Sequence, residues 1–237
     1  MGIITIAFDD GYADTFEHCA GFLADKGITA TFAVPAYLAG GTLENRPVMS
    51  ESQLLALRNC GHEIASHTCG HSNMLDLFNA EGEEAVRSEM KDSKYTLGKM
   101  VNTYIDSLVF PFIESNQNEF LRSLAADYYS SARITSMDKA LNTLPIEDPY
   151  SIQGVAFTRL KPVEEYNALV DEVAEKDAWL IEVFHLVSDE NTKSAHRDEP
   201  YRFFTHIDDF KSHVEHILSK DIPLLTQNQT IHTFQPG

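Results

Sequence analysis

Two aspartates, Asp9 and Asp10, stand side by side directly after the apolar run Ile3–Phe8 and before Gly11. Neighbouring carboxylates repel each other and resist burial unless a cation or a proton-transfer task holds them in place. Two histidines, His67 and His71, lie four positions apart in IASHTCGHSNM. That separation lets two imidazoles meet one ion on a helix or a turn. A further histidine, His185, follows an apolar run in WLIEVFHLVS. Two imidazoles and one carboxylate make an open metal site, with protein ligands on one side and room for water on the other. The second aspartate is then free to take a proton from that water. Each piece alone has a plainer reading. Asp-Asp-Gly is a common helix N-cap or turn, and a histidine after Val183 and Phe184 reads as core.

The elements that must position these residues alternate along the whole chain. Strands are predicted at Ile3–Phe8, Thr29–Val34, Glu63–Ser66, Ser107–Pro111, Tyr128–Ala132, Gly154–Thr158, Trp179–Phe184 and Pro223–Thr226. Helical patterns lie between most of them. A helix begins near Tyr12, and Ser50 with Gln53 forms a capping-box signature for a helix to Asn59 whose apolar side is Leu54, Leu55 and Leu57. Ala80–Met100, Val163–Lys176 and Ile207–Leu218 are amphipathic, the last through Phe210, Val214, Ile217 and Leu218. Such alternation means parallel strands with right-handed crossovers, in a barrel or a doubly wound sheet. In a barrel, chemistry collects at the C-terminal strand ends, which is where Asp9, Asp10, His67, Pro111, Phe112 and His185 fall.

The chain has 237 residues, 43% hydrophobic and 23% charged, enough for one sizeable core. Eighteen basic residues against 36 acidic ones give a net charge of -18, which argues against nucleic acid and anionic membrane surfaces as partners. No run approaches the roughly 20 apolar residues of a membrane span, and the N-terminus lacks the pattern of a secretory leader. A cytoplasmic location is therefore expected, with a secreted mature form as the alternative. Three cysteines without CxxC spacing argue against a disulfide scaffold. His62 reads as a structural histidine, and His196, His206, His213, His216 and His232 as solvated. Nothing in the sequence bears on oligomeric state.

AFDDGY, then HTCGH, then a late Phe184-His185 resemble the signatures of the polysaccharide deacetylases (NodB homology, carbohydrate esterase family 4): TFDDG, H-[ST]-x-x-H and a final L-x-H. GHEIASHTCGH is also similar to the family's GHEI-x-x-H-T-x-x-H run, and the match extends from Ile3 to beyond His185. The resemblance implies an α/β fold, a distorted (β/α)7 barrel, with residues 1–237 as a single catalytic domain. It implies one divalent metal, usually Zn2+ with Co2+, Ni2+ or Mn2+ as alternatives, held by Asp10, His67 and His71. Asp9 would be the general base and His185 the general acid.

Two signatures depart from the pattern. The family's R-x-P-[YF] appears as Val109-Phe110-Pro111-Phe112. Phe112 still offers its backbone N–H to an oxyanion, but the arginine that braces the base is missing. Arg133, in YYSSAR at the next strand tip, is the expected substitute. The DxxDW signature has no counterpart, because Asp177 and Trp179 precede their strand. The implied reaction is removal of N- or O-acetyl groups from a carbohydrate, foremost an N-acetylglucosamine-containing glycan. The alternatives are a same-fold amidase acting on a cyclic amide, imide or formyl-sugar, and a carbohydrate-binding pseudoenzyme. The segment from Ser188 to Tyr201 is expected to be a polar loop over the site.

Overall fold

The computed structural model describes residues 2–113, 118–138, 140–190 and 203–234. His196 and most of the segment expected as a polar loop lie outside them. In chain order the strands are β1 (Ile3–Phe8), β2 (Thr31–Val34), β3 (Thr42–Leu43), β4 (Arg46–Pro47), β5 (Glu63–Ser66), β6 (Ser107–Val109), β7 (Ser131–Ser136), β8 (Ile152–Ala156), β9 (Trp179–Phe184), β10 (Leu186–Ser188) and β11 (Phe204–His206). The helices are α1 (Ala13–Lys26), α2 (Glu51–Asn59), α3 (Met74–Glu81), α4 (Glu83–Val101), α5 (Glu119–Ala125), α6 (Val163–Lys176), α7 (Ile207–Leu218) and α8 (Gln227–Phe234). Seven parallel strands close into a barrel in the order β1-β2-β5-β6-β7-β8-β9, and β9 pairs back onto β1 along its whole length.

Residues at alternate positions of each strand point into the barrel and stack in layers. The lowest layer is polar. Glu63 accepts hydrogen bonds from the hydroxyls of Thr31 (2.8 Å) and Ser107 (2.5 Å). The N-terminus of α8 caps this layer, with the Asn228 N–H on Glu63 (2.9 Å) and the Gln227 amide on Ser131 (3.0 Å). Above it lie the small side chains of Ala33, Ala65 and Val109, which leave room for one long side chain, Arg133. The top layer carries the continuations of the same rows: Asp9, His67, Thr135 and His185. Outward-facing Ile4, Ile6 and Phe8 pack into the main apolar core with the helices.

The structure corrects several element boundaries. Pro223–Thr226 is not a strand. β2 pairs with only Ala7 and Phe8 of β1, so the lower edge of β1 is open, and residues 223–225 bond to Ile4 there (3.0 and 3.1 Å) as a single bridge. The fifth barrel strand is Ser131–Ser136 rather than Tyr128–Ala132, because Tyr128 and Tyr129 fold back onto Ala125 in the turn after α5. Arg133 therefore sits inside the barrel and not at a strand tip. Likewise β8 runs Ile152–Ala156, two residues earlier than expected. The helix expected from Ala80 begins instead at Glu83, because Gly82, at φ 85°, ends the separate helix α3 and stands at the head of α4. In α2 the capping box is formed, but Leu55 is exposed while Leu54 and Leu57 are buried.

Two histidines illustrate opposite outcomes. His213, expected to be solvated, is fully buried on the apolar face of α7 and bonds Glu182 of β9 and Asn167 of α6, both at 2.7 Å. His62 is structural: its Nδ1 accepts the Ala30 N–H (3.1 Å) and its ring packs edge-on against Phe32. Burial holds its imidazole below the usual histidine value. The unfolded chain thus binds the proton more readily, so this contribution to stability is present above about pH 6.5 and is lost as pH falls below it. His62→Asn keeps an acceptor near the Nδ1 position without titrating. Its melting temperature is expected to fall less between pH 7 and mildly acidic buffer than that of the wild type; equal losses would contradict this role.

Candidate active site

Each candidate side chain is delivered by a strand end and fixed by a local backbone device. The Asp9 N–H bonds the Phe184 carbonyl (2.9 Å) as the last rung between β1 and β9. Asp10 and Gly11 then both adopt positive φ (69° and 68°), turning the chain sharply into α1. An added Cβ at Gly11 would lie 3.0 Å from Val34, so glycine suits the position on both counts. His67 follows β5 with its N–H on the Val34 carbonyl (3.0 Å). The carbonyls of the next two residues, Thr68 and Cys69, accept from Ala36 and Tyr37 (3.0 and 2.9 Å). His185 follows β9, and its carbonyl accepts the Thr15 hydroxyl of α1 (3.0 Å).

These residues meet at one cavity of about 200 Å³, lined by Asp9, Asp10, His67, His71, Phe112 and His185 together with Glu44, Phe110, Ile113, Thr135 and Phe203. The two aspartates diverge. Asp10 Oδ1 lies 3.2 Å from His67 Nε2 and 3.1 Å from His71 Nε2, and the three ligand-type atoms fall within 4.8 Å of one another. Asp9 turns inward and is paired with Arg133, both fully or nearly fully buried.

The donor set fits a divalent cation. His67 Nδ1 is 2.8 Å from the Val109 carbonyl, which only accepts, so Nδ1 carries the hydrogen and Nε2 faces Asp10. This is the outer-shell bond that orients a metal-ligating histidine. A carboxylate oxygen between two imidazole nitrogens, on a half-enclosed surface, needs positive charge to hold it. Burial alone would raise the Asp10 carboxyl, but the facing His185 and the hydrogen bonds with His67 and His71 hold it well below the usual carboxylate range. For His71, burial opposes protonation while Asp10 favours it, and the net direction is upward.

Arg133 enters from below. It does not line the cavity; it reaches Asp9 from inside the barrel and bonds Thr135 Oγ1 (3.1 Å). Gly154 makes space for it, since a Cβ there would stand 3.1 Å from the guanidinium and 2.6 Å from Val183. Arg133, the residue expected to stand in for the arginine missing before Pro111, thus lies beside Asp9, supplied by β7. Pro111 is buried and is not among the lining residues, whereas Phe112, at φ 58° and half exposed, packs with its ring tilted against that of His71, centroids 4.8 Å apart.

The His185 ring lies 4.5 Å from Phe203 in a stacked arrangement. Its Nδ1 is buried and has no hydrogen-bond partner among the described residues. Burial lowers its imidazole below the usual value, against the pull of Asp10 and Asp9. Glu44, Thr135 and Phe203 complete the cavity and carry no motif. Glu44 sits at the tip of the β3–β4 hairpin, where Glu44 and Asn45 both take positive φ, and it accepts the Tyr12 hydroxyl (3.0 Å). Arg46 ties that hairpin to Asp14 (3.3 Å) and Glu190 (2.6 Å).

The polysaccharide deacetylase family model matches residues 2–129 of this chain. Over 183 residues, 76% of its length, the chain is 26% identical to chitin deacetylase 1 of Cryptococcus neoformans var. grubii. It spans only 36% of that protein and 38% of another curated relative. Among solved structures, the Bc1960 peptidoglycan N-acetylglucosamine deacetylase superposes with a TM-score of 0.62 at 13% identity, covering 96% of this chain and 86% of that one. A family 4 acetyl xylan esterase from Clostridium thermocellum, in complex with a cobalt ion, gives 0.61 at 16% identity, covering 98% and 91%. At these identities the structural likeness establishes the barrel fold.

Proposed function

The chain belongs to the polysaccharide deacetylase family, and on that premise we propose that it is a metal-dependent hydrolase removing acetyl groups from N-acetylglucosamine units of a glycan. One observation carries the reading: the two aspartates are split, Asp10 toward His67 and His71, Asp9 toward Arg133, with His185 on the same cavity. Asp10, His67 and His71 would hold the divalent ion, with zinc or cobalt suited to such a set. When bound, that ion lowers the pKa of water and polarises the acyl carbonyl.

The chain's own groups do the rest. Asp9 has one oxygen fixed by Arg133, which leaves its other oxygen to take a proton from water as the oxygen adds to the acyl carbon. The Phe112 backbone N–H donates to the developing oxyanion. His185, as the imidazolium, gives its Nε2 proton to the amine nitrogen as the carbon–nitrogen bond breaks and is left as neutral imidazole, because an unprotonated nitrogen leaves poorly. Acetate and a free amine result. The names of the relatives, a chitin deacetylase and a peptidoglycan N-acetylglucosamine deacetylase, support this substrate class. A same-fold amidase on a small non-polysaccharide amide is the second reading, for which the departure of Val109-Phe110-Pro111-Phe112 from the family's arginine-bearing signature leaves room.

The test is acetate release from N-acetylglucosamine oligomers and from acetylated xylan, using enzyme stripped of metal and reloaded with zinc or cobalt. Release from the amino-sugar oligomers above that from xylan is expected. Release from neither, by protein that binds metal, would move the substrate to cyclic imides or formyl-sugars.

A further inference from the structure

The turn that carries His71 is strained. Thr68 and His71 both take positive φ, 65° and 58°, a region in which a β-branched threonine is rarely found and persists only when its surroundings hold it there. Something must over-determine this conformation. The carbonyl side of the turn rests on the Ala36 and Tyr37 amides. Its amide side is held by a residue from another element. Glu89, half-buried in the second turn of α4, accepts the Cys69 N–H (2.7 Å) and the Gly70 N–H (3.3 Å) on one oxygen and the Ser72 hydroxyl (3.2 Å) on the other.

We propose that Glu89 is a positioning residue for the metal centre, its carboxylate fastening residues 69–72 so that His71 Nε2 is presented beside Asp10 together with His67. This rests on the metal-site reading above. The physical basis is the pairing of one carboxylate with two successive backbone donors and a hydroxyl. Charge-assisted bonds of this kind are roughly twice as strong as neutral ones. α4 itself is anchored beneath the turn: Ser93 bonds Ser66 of β5 (2.6 Å) and the Tyr129 hydroxyl (3.0 Å). Glu89 thereby couples a rigid helix to His71, the candidate ligand that lies farthest beyond its strand end. Without it, Cys69 and Gly70 lose their acceptor and the turn relaxes toward ordinary backbone angles, carrying His71 away from Asp10.

The test is the Zn2+ dissociation constant, measured by competition with a chelating dye on the metal-stripped chain, for wild type, Glu89→Ala, Glu89→Gln, Ser72→Ala and Asp10→Asn. Outer-shell partners of metal ligands typically contribute about 10–100-fold in affinity, and Glu89→Ala is expected to weaken binding by that factor. Glu89→Gln, which keeps an acceptor for the two amides, should recover part of it, and Ser72→Ala should fall near wild type. A purely structural role would lower the melting temperature of the metal-free protein and leave the dissociation constant of the folded fraction unchanged; that result overturns the proposal. If Glu89→Ala fails to fold, Glu89→Gln decides, and wild-type affinity in that variant again overturns the proposal. Wild-type protein that takes up no zinc overturns the proposal and the metal-site reading together, whereas zinc bound by wild type and lost in Asp10→Asn leaves that reading intact whatever Glu89 does.

Discussion

Asp9→Asn is expected to lower acetate release by the metal-loaded enzyme by about 10²–10⁴-fold, the range supplied by a well-placed general base. The amide still accepts the Arg133 hydrogen bond and fills the same volume, so the cavity is kept while the proton acceptor is lost. Asp10, His67 and His71 are untouched, and metal content should stay at the wild-type level. That combination separates the two adjacent acids: the same substitution at Asp10 should remove the metal as well as the activity. Acetate release unchanged in Asp9→Asn, with metal bound, would show that another group takes the proton.

Arg133→Met is expected to destabilise the protein by about 3–5 kcal/mol, the usual consequence of removing one partner of a buried ion pair. Methionine fills part of the space but leaves Asp9, at 2% exposure, without its buried counter-charge. Melting of wild type, both single variants and the Asp9→Asn/Arg133→Met double variant forms a thermodynamic cycle. The double variant should be more stable than Arg133→Met alone, because no unpaired charge is left in the barrel. Activity should fall in Arg133→Met and be better kept in Arg133→Lys, which restores the charge without the planar fork. Additive stability losses around the cycle would contradict the pairing.

The parts of the fold set by local chemistry were legible in the sequence. β1 and β9 are mainly apolar runs, interrupted by Thr5 and Glu182, and are buried from end to end, and the start of α2 is written in Ser50 and Gln53. The same holds for Asp9, Asp10, His67, His71 and His185, since strand tips and short spacings bring them to one cavity. What escaped depends on distant partners. Tyr128 and Tyr129 read as strand because aromatics favour sheets, yet they cover α4 in a turn, and that shift moves Arg133 from a tip to the barrel interior. Gly154 beside it is small for a reason visible only in three dimensions. Glu44 and Glu89 look like solvated charges on a chain with many of them; one sits on a two-residue hairpin turn and the other reaches its turn from a helix well along the chain. His213 shows the same blindness, since its buried partners Glu182 and Asn167 belong to other elements.

The most direct measurement is a titration of metal-stripped enzyme with Zn2+ while acetate release from an N-acetylglucosamine oligomer is followed, beside Asp10→Asn. Release is expected to be absent at the start, to rise with added zinc and to level off at one ion per chain, with the variant inactive throughout. Full release from the stripped protein, or a variant that follows the wild-type curve, would contradict a metal centre at Asp10, His67 and His71.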